Sequence, residues 1–246
     1  MKVGVFDSGI GGLTVVKSLV EHHLFEEIIY FGDTARVPYG SKDKNTIIRY
    51  AIEAVEFFKN FDLDLIIVAC NTVSAYALNE MKESASCPVV GVVEAGILAT
   101  SNALHNKDKS VLILGTKATI TSQAYEQGLK KRGYHNLTPL ATPLFVPLVE
   151  EDVKGEVLQA ILKYYFHTLN TPDAVILGCT HFPLIANEIQ TFFTPQTQLI
   201  HSGNAIVEYL EKELHVSTHT PQTQLQFFAS ENPDALKKIA HKWLNL

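Results

Sequence analysis

Three cysteines, one tryptophan and two methionines are all that 246 residues contain of these types. Three is an odd count for a chain of this size, which excludes a complete disulfide framework and favours reduced thiols in a cytoplasm. Long apolar runs are also missing, so no membrane partner is expected. The opening "MKVGVFDSG" meets Asp7 before any useful apolar length, and no signal peptide is expected there. Basic charge is scarce: 20 Lys and Arg face 26 Asp and Glu, for a formal charge of -6. A nucleic-acid partner is not expected from that balance, because such proteins concentrate cations to neutralise phosphates. The short runs "LKKRG" (129–133) and "LKK" (236–238) read as solvated helix faces.

What is present is alternation. Short β-branched runs are separated by longer amphipathic stretches. Strands are expected at "KVGVF" (2–6), "EIIYF" (27–31), "DLIIVA" (64–69), "PVVGVV" (88–93), "SVLIL" (110–114) and "DAVILG" (173–178). Their unbroken apolar character suits strands covered on both faces, as in parallel sheets. In 43–60, Ile47, Ile48, Ala51, Ala54, Val55 and Phe58 recur at helical spacing. The class implied is α/β, doubly wound, with sites beyond the carboxyl ends of the strands.

The halves resemble each other. "KVGVFDS" (2–8) aligns with "SVLILGT" (110–116), and "DLIIVACNT" (64–72) with "DAVILGCTH" (173–181). Two strand-loop units at nearly constant separation predict two similar lobes with mainly parallel sheets, related by a pseudo-two-fold. A boundary falls near Val93 and Glu94. The segment 224–244 reads as a further strand and helix returning to the first lobe. The division expected is 1–93 plus about 208–246, and 94–207.

Cys70 and Cys179 each end a buried strand and precede polar residues at a helix start, Asn71-Thr72 and Thr180-His181. Helix N-termini favour negative charge, so a thiolate is expected to be eased there, its pKa falling below the free value of about 8.5. Cysteine also serves as a small buried hydrophobe, and for either position alone that reading is the simpler one. The repetition, with polar companions that packing does not need, shifts the balance. Cys87 lacks such companions and reads as structural. A zinc site finds no close second ligand apart from His181, and no C-x-x-C redox spacing exists. A substrate held between the lobes, with one thiol on each side as opposed acid and base, uses both positions. Removing a proton from one face and delivering one to the other inverts a stereocentre.

The loops at the strand ends supply further candidates. "FDSGIGG" (6–12) places Asp7 and Ser8 beside glycines that permit close backbone approach, but it lacks the G-x-G-x-x-G of a dinucleotide site. "GDTARVPYGSKD" (32–43) carries Tyr39 and Gly40 in a rigid turn. Thr116 and Thr119 offer hydroxyls suited to a carboxylate and equally to helix capping. Glu150 can orient His181, although solvated glutamates are the plainer reading of "VEE".

Taken together, "FDSGIGG", "PYG", "ACNTVSA" and "GCTHFPL" resemble the glutamate racemase family over essentially the whole chain, except a polar stretch at about 215–225. The resemblance implies a cofactor-independent, metal-free isomerase that interconverts L- and D-glutamate between two α/β lobes. It further implies a cytoplasmic homodimer that supplies D-glutamate for peptidoglycan. By the same motifs, Cys70 is the thiol of the D-glutamate side and Cys179 that of the L-glutamate side. Asp7 and His181 are their auxiliary groups, and Glu150 supports His181. Substrate contacts are implied for Asp7, Ser8, Tyr39, Gly40, Asn71, Thr72, Thr180 and His181, with Thr116 and Thr119 beside them. An aspartate racemase, a two-lobed amino-acid binding module and a redox sensor remain as alternatives.

Overall fold

The computed structural model describes residues 1–216 and 222–244. Residues 217–221, part of the polar stretch without a motif, and 245–246 lie outside the described residues. In chain order the first part runs β1 (Lys2–Asp7), α1 (Leu13–Glu21), β2 (Glu27–Gly32), α2 (Lys44–Phe58), β3 (Leu65–Val68), α3 (Asn71–Tyr76), α4 (Leu78–Ser84), β4 (Val89–Gly91) and α5 (Val92–Ala103). The second part runs β5 (Val111–Gly115), α6 (Lys117–Thr121), α7 (Ala124–Lys131), β6 (Leu137–Ala141), α8 (Phe145–Glu150), α9 (Gly155–Phe166), β7 (Ala174–Gly178), α10 (Ala186–Phe192) and β8 (Gln198–His201). α11 (Ser202–Glu213), β9 (Gln224–Ala229) and α12 (Pro233–Leu244) follow.

Two parallel sheets result, ordered β4-β3-β1-β2-β9 and β6-β5-β7-β8. The internal repeat of the sequence is visible in this order. β1 pairs with β3 as β5 pairs with β7, and the four-strand arrangement recurs with β9 added beside β2. β9 and α12 thus return to the first sheet, as the sequence predicts. β1, β3, β5 and β7 are buried almost throughout, which is why each reads as a continuous apolar run.

Two strands escape that reading. β6 and β8 form the edges of the second sheet, β6 carries Pro139, and both are largely half-exposed or exposed. An edge strand covered on fewer sides needs fewer apolar residues, and proline is tolerated there because a ladder donor can be spared.

α2 forms where its spacing predicts, with Asp43 accepting the Thr46 N–H at its start and Ile47, Ala51, Ala54, Val55 and Phe58 turned inward. α5 and α11 contribute to the core of the first sheet through Val92, Ala95, Ala99, Ala205, Ile206, Val207 and Leu210. Val93 and Ile97 of α5 also enter a core cluster of the second sheet, so this helix packs against both.

Candidate active site

The carboxyl ends of both sheets open onto one cavity of about 240 Å³. Ser8 follows β1, Cys70 follows β3, Thr116 follows β5 and Cys179 follows β7. All four line the cavity, together with Tyr39, Gly40, Asn71, Thr72, Glu150, Thr180 and His181. Both thiols are free and buried. Their position follows from the local sequence: a rigid apolar strand ends at the rim, and the next residue opens a helical turn.

Asp7 and Thr119 do not line the cavity; they stand behind it. Asp7 is fully buried, accepts the Gly9 N–H at 2.9 Å, and receives the Thr180 hydroxyl at 3.3 Å. Burial raises its pKa, against the opposing pull of the His181 charge, the Gly9 and Gly12 N–H groups and Thr180. Thr119 closes a triangle of hydroxyls: Thr72 Oγ1 lies 2.9 Å from Thr116 Oγ1 and 3.1 Å from Thr119 Oγ1, and the latter two are 3.0 Å apart. Thr116 also caps α6 by accepting the Thr119 N–H, the capping role that its position in the sequence allowed.

The surroundings of the thiols differ. Cys70 Sγ lies 3.4 Å from Ser8 Oγ. Burial first, and the Asp7 carboxylate second, push its pKa up to about 12. Hydrogen bonds from Ser8 and the Val73 N–H act in the other direction and are outweighed. The expectation that the helix start eases ionisation of Cys70 is therefore corrected. α3 is only six residues long, and its N-terminal field does not overcome desolvation beside a carboxylate.

Cys179 Sγ lies 3.8 Å from His181 Nδ1, and His181 Nε2 lies 2.9 Å from Glu150 Oε1. Burial alone would lower the His181 pKa. Its hydrogen bonds to Cys179 and Glu150, with the charges of Cys179 and Asp7, instead raise it to about 10. The imidazole is thus a cation near neutrality, held between a sulfur and a carboxylate. Glu150 ends α8 and reaches the histidine while its side chain stays partly exposed, and its neighbour Glu151 is exposed as well.

The glycines of the first loop admit the opposite lobe. A Cβ on Gly11 would meet Thr180 Oγ1 at 2.3 Å and His181 Nδ1 at 2.5 Å. Thr14 adds a bond from its hydroxyl to the Thr180 carbonyl at 2.8 Å. Likewise a Cβ on Gly40 would lie 2.6 Å from Thr116 Cβ. Tyr39 is held from below by a hydrogen bond to the buried Asp33, which also pairs with Arg36 Nε at 2.6 Å and accepts from Ser230 at 2.7 Å.

Asn71, expected among the substrate contacts, lines the cavity with its side chain already engaged by the protein. Its amide is bracketed: the oxygen accepts from Tyr125 at 2.6 Å and the nitrogen donates to Ser202 at 3.0 Å. The remaining lining is apolar, from Val37, Pro38, Val146 and Pro147. Nothing in their residue types marks them in the sequence; they belong to the site only because the connection after β2 meets α8 of the opposite lobe.

A sequence model of the family described as Asp/Glu/Hydantoin racemase matches residues 12–210. The chain belongs to that family. The racemase is 59% identical over 245 residues to a glutamate racemase of Nitratiruptor, which covers 99% of this chain and 96% of that one. The crystal structure of glutamate racemase from Campylobacter jejuni superimposes with a TM-score of 0.98 at 53% identity, covering 100% of this chain and 99% of that chain. A glutamate racemase from Francisella tularensis, solved in complex with D-glutamate, gives a TM-score of 0.85 at 34% identity over 100% of this chain and 94% of that one. The two parallel-sheet lobes of the racemase are therefore those of this enzyme family, and the protein is an isomerase.

Proposed function

We propose that this isomerase is a glutamate racemase that works without a cofactor, moving protons on opposite faces of Cα with Cys70 and Cys179. One observation carries the reading: two buried thiols, each at the end of a strand of a different sheet, share one cavity. Relatives named glutamate racemase at 59% and 53% identity make glutamate the preferred amino acid over aspartate.

The unequal surroundings suggest which form of the free enzyme meets which substrate. Cys70 is kept as a thiol by burial and Asp7, ready to donate. Cys179 faces a charged His181 at 3.8 Å and takes the part of proton acceptor. That form is loaded for L-glutamate. Cys179 takes the α-proton and Cys70 delivers another to the far face. The products are D-glutamate, a Cys70 thiolate and a Cys179 thiol. The reverse reaction starts from the exchanged form, in which Asp7 and Ser8 flank the basic sulfur.

A thiolate is a weak base for an α-proton, so the site must stabilise the developing carbanion with fixed donors and exclude water. Thr72, Thr116 and Thr180 are the candidate donors, and Ser8, Tyr39, Gly40 and Asn71 complete the substrate contacts. Thr119 acts through the hydroxyl triangle. The proposal includes closure of the lobes 1–93 plus about 208–246 and 94–207 on the substrate. It also includes a cytoplasmic homodimer supplying D-glutamate for peptidoglycan. Inversion of L-glutamate followed by circular dichroism tests the reading. Rapid inversion of aspartate with none of glutamate would overturn it.

A further inference from the structure

Tyr125 is a large side chain in α7, only 3% exposed, and it touches the neighbours of both thiols. Its hydroxyl donates to Asn71 Oδ1 at 2.6 Å, and Asn71 directly follows Cys70 at the start of α3. Its ring lies against Gly178, the residue before Cys179: a Cβ there would stand 3.3 Å from Tyr125 Cε2. On the other edge of the ring, a Cβ on Gly96 would be 3.0 Å from Cε1 and 3.1 Å from the hydroxyl. Two glycines, one in α5 and one ending β7, thus make room for a phenol wedged behind the cavity.

The bond reaches across the molecule. Tyr125 belongs to the second lobe, Asn71 to the helix after β3 in the first, and 54 residues separate them. From the other side Ser202, opening α11, receives the Asn71 Nδ2–H at 3.0 Å. Asn71 is 2% exposed, so both polar ends of its amide need partners, and the two hydroxyls supply them. With oxygen and nitrogen both tied, the amide cannot turn without losing a buried hydrogen bond, and the backbone carrying Cys70 is fixed relative to Tyr125. Burial, and next the charge of Cys179, raise the phenol pKa, so the hydroxyl keeps its proton and remains a donor.

We propose that Tyr125 is a positioning residue of the racemase, setting the register of the Cys70 loop against the Cys179 strand end through its bond to Asn71. It touches no reacting atom; it fixes the distance over which the two thiols act on one Cα. The inference rests on the racemase reading above and concerns how that reaction is held in geometry. Losing a register of this kind costs turnover more than binding, because substrate can still occupy a cavity whose proton donor is misplaced.

The test is kinetic, with the full-length protein and L- and D-glutamate as substrates. Tyr125→Phe removes one hydroxyl and keeps the ring between Gly96 and Gly178. Asn71→Ala removes its partner, and the double variant closes the cycle. The expected result is roughly a tenfold fall in kcat in both directions for Tyr125→Phe, with KM changed less than about threefold. The double variant is expected to be no slower than the slower single one, since both act through one bond. Melting midpoints are recorded alongside, and each rate is measured well below its variant's midpoint, so that loss of fold is not counted as loss of turnover. Wild-type kcat in Tyr125→Phe overturns the inference, and so do losses that multiply in the double variant. If the wild-type protein itself leaves glutamate unchanged, the racemase reading fails instead.

Discussion

Gly11, in the first loop, lies directly under His181 of the opposite lobe, so closely that a methyl group on it would sit 2.5 Å from the imidazole Nδ1. The same methyl would press on the Thr180 hydroxyl at 2.3 Å. Gly11→Ala therefore forces the Thr180-His181 turn outward. Overpacking of this kind costs about 1–3 kcal/mol of stability, which a domain of this size survives. A displacement near 1 Å at the reacting groups costs about 100-fold in rate. The expected variant is folded, with a lowered melting midpoint and turnover reduced by about that factor. Unchanged turnover would show that the contact does not position His181.

Glu150 raises the His181 pKa, and its removal has a definite sign. His181 is raised in the folded protein from 6.5 to about 10, so its pairing stabilises the fold fully below about pH 6.5 and is lost as pH rises through about 10. In Glu150→Gln one raising contribution is gone, so the stabilisation is smaller and is exhausted at a lower pH. The alkaline limb of kcat/KM for L-glutamate, and of the melting midpoint, is expected to move to lower pH by the same direction of shift. Profiles that superimpose on wild type would place Glu150 outside the His181 pair.

Asp7 contributes to holding Cys70 as a thiol. Asp7→Asn keeps the size of the side chain and an oxygen for the Gly9 N–H, but removes the negative charge. The Cys70 pKa then falls from about 12 towards the ordinary thiol range. In a Cys179→Ser background the variant is expected to be alkylated at Cys70 by iodoacetamide faster at mildly alkaline pH than its Asp7 parent. Because the Asp7 pKa is raised by burial, the charge is also an expense to the fold at neutral pH, and the melting midpoint should hold or rise. Slower alkylation would contradict the assignment.

Each thiol is needed for inversion in both directions, since one takes the proton and the other gives it. Cys70→Ser and Cys179→Ser are each expected to lose about 10²–10⁴ in turnover from either enantiomer. A variant that still inverts glutamate at the wild-type rate would leave its thiol without a catalytic part.

Much of the site could be read from the chain because its chemistry sits at strand ends. Cys70 and Cys179 follow the most continuous apolar runs, and the repeat that pairs them reappears as the shared strand order of the two sheets. β6 and β8 could not be read the same way, because edge strands carry no unbroken apolar signal. Tyr125, Thr14 and Ser202 escaped for a different reason. Each joins a partner 54, 166 or 131 residues away, and no local pattern records which tyrosine or threonine will face the other lobe. The direction of the Cys70 shift was also hidden, since it depends first on how completely the sulfur itself is buried and then on the Asp7 charge beside it, neither of which spacing reveals.

The central claim is that two different groups handle the two protons. Racemisation of protiated L-glutamate in deuterium oxide, stopped early and analysed for deuterium at Cα in each enantiomer, tests it most directly. Opposed thiols predict that essentially every D-glutamate formed carries one solvent deuterium, delivered by Cys70 while Cys179 holds the substrate's proton. D-glutamate that keeps the original proton would mean a single group carries it from face to face, and the two-thiol account would be contradicted.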